Sequence, residues 1–113
     1  MTETISIRPI DGTWVVRAGG AVIGESTNVL ELTEGDFSPV LYFPRKDIAM
    51  AFPDGTENTS RCSHKGVAQY FNIIAKSGPL VNAAWSYTDP TPQAEDIRNH
   101  LAFYTSKVTL EEV

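Results

Sequence analysis

Along this chain, apolar residues come in short groups separated by glycine, proline, aspartate and asparagine at intervals of about ten residues, the pattern of an all-β sandwich or barrel. Ile5 and Ile7 alternate with polar neighbours, and Asp11-Gly12 then turns the chain. Residues 14–17 and 21–23 flank Gly19-Gly20, a hairpin signal because both glycines accept positive φ. Residues 28–32 read as a third strand ending at Glu34-Gly35-Asp36, and residues 39–43 as a fourth that Pro44 ends or bends. Residues 46–52 suit a short helical turn, and Asp54-Gly55 a tight turn. Residues 57–62 are polar but β-compatible; residues 67–74 and 80–87 form further strands. The run Thr88-Asp89-Pro90-Thr91-Pro92 is unsuited to a central strand, where a proline removes a ladder donor. Residues 93–100 are the helix candidate, with Thr91 or Pro92 to start it and Glu95 and Asp96 favoured at its N-terminal end by the helix dipole. Residues 102–104 and 108–110 supply a last strand. The expected fold is mostly β, with about eight antiparallel strands and one short helix before the last strand. A lone helix of that length excludes a parallel α/β sheet.

Composition narrows this picture. The 113 residues, 42% apolar, suit a single domain over residues 1–113 with its own core. Cys62 is the single cysteine, which excludes an internal disulfide and a zinc site of the paired-thiolate kind. A free thiol and an acidic start without a charged-then-apolar leader make the cytoplasm the expected location. No apolar run approaches the ~20 residues of a membrane span. The net charge of −5 argues against nucleic acid and anionic membranes as partners, since both are recognised by clustered basic residues. The nine Lys and Arg residues are scattered, with only Arg45-Lys46 adjacent. No glycine-rich phosphate loop or nucleophile elbow is present, so no cofactor is expected. His64 and His100 are too far apart in sequence for a local metal motif.

Two constellations remain as candidate chemistry. The first is Thr59-Ser60-Arg61-Cys62-Ser63-His64-Lys65-Gly66, in which Cys62 is a nucleophile and Lys65 a nearby cation able to favour its thiolate. In an extended strand residues three apart point to opposite faces, so only a bend at Ser63-His64 would bring Cys62 and Lys65 together. Against this stands a structural reading: a buried apolar Cys62, a solvated Lys65, a surface His64 and a bulge at Gly66. The second constellation is aromatic: Tyr42, Phe43, Tyr70, Phe71, Trp85 and Tyr87. Core packing accounts for most of these, but Trp85 and Tyr87 share a strand face and carry polar tips of the kind that line ligand pockets. Asp11, Glu34 and Asp47 are carboxylates whose convergence the sequence leaves open.

The ordered motifs Tyr42-Phe43-Pro44-Arg45-Lys46-Asp47, then Cys62-Ser63-His64-Lys65-Gly66 and Tyr70, then Ala84-Trp85-Ser86-Tyr87 and Pro90, then Ile97 and Ala102-Phe103-Tyr104 resemble the domain-of-unknown-function 427 family, also catalogued as a nucleotidyltransferase domain family. Arg17, Gly20, Ser26 and Glu34 extend the resemblance over nearly the whole chain. It implies a β-tent: two antiparallel sheets packed at a steep angle and open at one end. Proteins of that fold carry a zinc site or an aromatic ligand pocket, and include methionine sulfoxide reductases and a thalidomide-binding domain. The chain departs from the family at Ser63-His64, where many members place proline and an aromatic residue. The metal-binding carboxylate pair and phosphate cradle that nucleotidyl transfer requires are not visible in it.

Two functional readings follow. In the first, the domain binds a small anionic or carbonyl-bearing metabolite in a pocket walled by Tyr42, Tyr70, Trp85 and Tyr87, with Arg45 and Lys65 orienting it. In the second it is an enzyme whose reactive group is Cys62 or Lys65, in redox or group-transfer chemistry. No metal is expected at the site. An interaction role through a sheet edge has no positive sign, and a homodimer stays open.

Overall fold

A computed structural model describes residues 4–49, 53–76 and 78–113. Among them lie ten strands: β1 (Ile5–Pro9), β2 (Trp14–Ala18), β3 (Ala21–Ser26), β4 (Leu30–Glu34), β5 (Val40–Pro44), β6 (Pro53–Cys62), β7 (Gly66–Ala75), β8 (Gly78–Pro90), β9 (His100–Phe103) and β10 (Thr109–Glu112). They form two antiparallel sheets, one of seven strands in the order β1-β4-β5-β9-β8-β7-β6 and one of three in the order β10-β2-β3. The mostly β expectation holds, with ten strands in place of about eight. One reason is that residues 102–104 and 108–110 do not make a single strand. The first belongs to β9 in the large sheet and the second to β10 in the small one.

Gly19 (φ 58°) and Gly20 (φ 84°) form the β2–β3 turn, using the conformational freedom that placed a hairpin there. Asp54-Gly55 is not a turn. Both residues lie in β6 opposite Asn72 and Phe71, and the irregularity falls after them, between Gly55 and Thr59. Thr88, Asp89 and Pro90 do belong to β8, which lies inside the sheet. The strand outruns its neighbour: β9 pairs only with Ala84 and Trp85, whereas β7 follows β8 as far as Pro90. The far end of β8 is therefore bonded on one side, where a proline is tolerated.

The expected helix over residues 93–100 is instead a 3-10 segment, Pro92–Ile97, interrupted at Ala94 by non-helical angles (φ −112°, ψ 16°). Its two buried residues, Ala94 and Ile97, are three apart, the spacing that brings side chains into line on a three-residue turn. A second 3-10 turn, Arg45–Asp47, accounts for part of the ambiguous residues 46–52; residues 50–52 lie outside the described residues.

Alternation along the strands gives the large sheet two buried faces. Phe43, Phe71, Ile73, Leu101 and Phe103 pack against Val16, Ala18 and Ile23 of the small sheet and form the inter-sheet core. The neighbouring positions Tyr42, Ala68, Tyr87 and Ala102 turn the other way, onto Leu32 and onto Ala94 and Ile97 of the 3-10 segment. Ile5, Ile7, Leu30, Val40 and Trp85 close around that second cluster. This second face carries most of the candidate residues.

Candidate functional site

The turn after β6 brings the first constellation together, though around a different partner from the one anticipated. The Lys65 amide donates to the Cys62 carbonyl (3.3 Å), closing a hairpin in which Cys62 faces Gly66. The chain does bend at Ser63-His64, and the Lys65 ammonium then engages Glu34 of β4. Lys65 Nζ donates to Glu34 Oε1 at 2.7 Å, and His64 Nδ1 lies 2.5 Å from Glu34 Oε2. The Glu34 side chain is 10% exposed and that of Lys65 17%. Hydrogen bonding from Lys65 and, secondarily, from His64 outweighs burial and holds the Glu34 carboxyl below its usual range. His64 is therefore the second arm of a clamp that joins β4 to the β6–β7 turn. The turn is tied on its other side as well: Thr91 Oγ1 (2.6 Å) and Gln93 Nε2 (3.0 Å) donate to the His64 carbonyl.

In the sequence Glu34 stands as one of three loose carboxylates and as a residue that extends the family resemblance, without a partner. The signal that singles it out is its phase in β4. Leu30, Leu32 and Glu34 alternate onto one strand face, so the apolar rhythm that buries Leu32 also buries a carboxylate. A charge in that position needs a partner, and Lys65 and His64 supply it. Asp47 takes a separate role as acceptor for the Ser26 hydroxyl (2.6 Å).

The aromatic constellation splits into supports and accessible members. Tyr42 is 1% exposed and Tyr87 5%, so they are buried supports in one cluster with Trp85, where pocket walls were expected. The Trp85 indole N–H donates to the Tyr42 hydroxyl (3.2 Å), with the rings edge-on at 6.5 Å. The Tyr42 oxygen thus has a donor, and its own proton is free of any described acceptor. Burial pushes Tyr42 up to about 12, and charge at Cys62, Glu34 and Tyr70 acts in the same direction. Tyr87 is also raised, by burial first and then by charge at Tyr42, Cys62, Tyr70 and Glu34. Both phenols are protonated donors at neutral pH. Tyr42 and Tyr87 are thus each influenced by Cys62, Glu34 and Tyr70, although the five residues come from five different strands.

Trp85 is only partly buried and stacks at a tilt on Tyr104, with centroids 4.6 Å apart. The Tyr70 hydroxyl shares a hydrogen bond with Ser60 (2.8 Å). Trp85 and Tyr104 line a pocket of about 440 Å³ with Val40, Leu41 and Phe103. A smaller pocket of about 280 Å³ is lined by Leu32, Glu34, Phe37 and Lys65. Ser38 and Val40 border both, so the two adjoin beneath the loop that joins β4 to β5.

Arg45 is not part of this assembly. Its guanidinium lies over the Phe71 ring, 5.4 Å from the centroid, and Phe71 belongs to the inter-sheet core on the opposite face. Among the described residues no three His, Cys, Asp or Glu side chains gather in a way that could hold a metal ion, and no helix is long and apolar enough to cross a membrane.

None of the curated proteins compared with the chain matches it. The sequence does match, over residues 6–113, the family described as Domain of unknown function (DUF427). On that match, which spans nearly the whole chain, the protein belongs to that family.

Proposed function

We propose that the domain binds a small, neutral, carbonyl-bearing metabolite in the groove between Trp85 and Lys65, beneath the loop that joins β4 to β5. The observation that carries this reading is the partly exposed Trp85, fixed by its hydrogen bond to buried Tyr42 and stacked on Tyr104 at the wall of a pocket. A pre-set aromatic platform suits a flat polar ligand, because the ring covers its face while the hydroxyl-bearing lining residues Ser38, Tyr104 and Thr105 meet its oxygen. Lys65 already donates to Glu34, so its charge is compensated within the protein. This favours the carbonyl-bearing ligand over the anionic one. The β-tent arrangement implied by the family resemblance, with its sheets at a steep angle, fits a groove open at one end. Cytoplasmic location accords with the single thiol, and a homodimer is not required by the groove.

Thermal-shift measurements across nucleotides, sugar phosphates, amino acids and cyclic imides test the proposal. A ligand at a hundred times its dissociation constant adds about 2.7 kcal/mol, which raises the melting point of a chain this size by several degrees. Cyclic imides or amides are expected to produce the shift, and Trp85→Ala to remove it. A flat response to every neutral carbonyl compound, or a shift that survives Trp85→Ala, would defeat the proposal.

A second reading keeps Cys62 as the reactive group of an enzyme, supported by its half-buried place at the turn that carries His64 and Lys65. The Lys65 variant of that reading draws less support, since an ammonium donating to a carboxylate offers no lone pair for attack. Rapid alkylation of Cys62 at neutral pH would favour the enzyme; labelling as slow as that of a buried thiol would end that reading.

A further inference from the structure

Where β5 ends and β9 begins, two basic stretches distant in sequence run side by side. Pro44 pairs with His100, and the Arg45 amide donates to the Asn99 carbonyl (3.1 Å). The left-handed conformation of Asn99 (φ 59°) lets the chain reverse there between Arg98 and His100. The result is a pocket of about 490 Å³ lined by Pro44, Arg45, Lys46, Arg98, Asn99 and His100. Three of the chain's nine Lys and Arg residues line it, and no carboxylate does, in a protein whose net charge is −5.

The cations there have different standing. Arg98 is committed: Nε and one terminal nitrogen donate to Glu95, and the other to the Thr88 carbonyl (2.9 Å). His100 Nδ1 donates to the Arg98 carbonyl (2.9 Å), which fixes the imidazole and leaves Nε2 uncommitted among the described residues. Asp47, the acid on the same turn as Arg45 and Lys46, is engaged by Ser26. Arg45 and Lys46 have no carboxylate partner among the described residues. Arg45 is held over Phe71, and its Nε is buried without a hydrogen-bond partner. Arg45 thus presents a pre-oriented planar fork and Lys46 a second, exposed point charge.

We propose that this pocket is an anion site for a phosphate monoester, with Arg45 and Lys46 matching the two negative charges of the phosphate. It is separate from the groove at Trp85, because Arg45 rests on the inter-sheet side of the large sheet and Trp85 on the other. The phosphate takes the terminal N–H groups of Arg45, and the organic part of the ester extends along Pro44 and Asn99.

The test is a titration of the ¹⁵N-labelled protein with inorganic phosphate against sodium chloride at matched ionic strength. Saturable shifts are expected in the backbone amides of residues 45–47 and 98–100 with phosphate alone. Affinity should fall about tenfold or more in Arg45→Met and in Lys46→Glu, and stay unchanged in Trp85→Ala. Lys46 is exposed, so its variant keeps the fold even if loss of the Arg45 contact with Phe71 does not. Linear shifts reproduced by chloride would overturn the proposal. So would phosphate binding that persists in Lys46→Glu, or that disappears in Trp85→Ala.

Discussion

Glu34→Ala is expected to destabilise the protein by about 3 kcal/mol at neutral pH, the cost of stripping the partner from a largely buried cation. The substitution leaves the Lys65 ammonium, 17% exposed, facing the hole that the carboxylate filled. It also releases His64, so both links between β4 and the β6–β7 turn are lost. The effect has a pH signature. Lys65 first, then His64, depress the folded-state pKa of Glu34 below the reference value of 4.5. A depressed carboxylate contributes stability that is complete above the unfolded value and disappears as the pH falls through the folded one. Urea denaturation of the wild type and the variant should therefore show a wide gap at pH 7 that narrows below pH 4.5, with the denaturant slope unchanged. A gap under about 1 kcal/mol, or one constant with pH, would mean that the clamp contributes nothing to the fold. Lys65→Met is judged by the same geometry. A solvated contact residue would tolerate that change within about 1 kcal/mol, whereas the partner of a buried carboxylate will not.

Gly66→Ala should cost about 3 kcal/mol, from backbone strain and a steric clash together. Gly66 has φ +112°, a region that residues with a side chain rarely enter. A Cβ there would sit 2.7 Å from the Asp89 carbonyl oxygen and 3.1 Å from the Pro90 Cα, both backbone atoms of the neighbouring strand. Neither can give way without disturbing the hydrogen bond from the Thr91 amide to the Lys65 carbonyl (3.0 Å). Gly20→Ala is the control. It too has positive φ (+84°), but a Cβ there meets nothing within 4 Å, so strain acts alone. In thermal denaturation Gly66→Ala should lower the midpoint by about 10 °C and Gly20→Ala by distinctly less. Equal losses would show that the close approach of β8 is not what requires glycine.

Residue 66 also illustrates how much the sequence could say. Its glycine marked a constrained backbone beside Lys65, and the structure supplies the cause in the strand pressed against it. The Gly19-Gly20 hairpin and the alternation of Trp85 with Tyr87 were legible for the same reason: both depend on neighbours in the chain. The partnership of Glu34 with Lys65 was not, because it depends on which strands meet, and β4 is separated from β7 by three strands in the sheet order. Arg45 was grouped with the aromatic residues on its chemistry alone. One residue of strand phase separates it from Pro44 and two from Phe43, and the 3-10 turn then carries its side chain over Phe71. The helix over residues 93–100 failed for a local reason, since too few residues follow Pro92 to sustain an α-helical ladder before β9 begins.

The narrow pairing of β9 carries a consequence for the order of assembly. β9 meets β5 through Phe43 and Pro44 only, and β8 through Ala84 and Trp85 only, yet it joins the two halves of the large sheet. The β6-β7-β8 meander closes through short connections, whereas the pairing of Phe43 with Leu101 must close a long loop. Local hairpins form ahead of such distant pairings. A chain with only its meander built would hold Tyr70, Trp85 and Tyr87 in place while still lacking Tyr42 and Glu34. The seam at β9 therefore makes the groove a property of the finished fold, and a ligand that needs both sides of it reports on closure of the whole sheet.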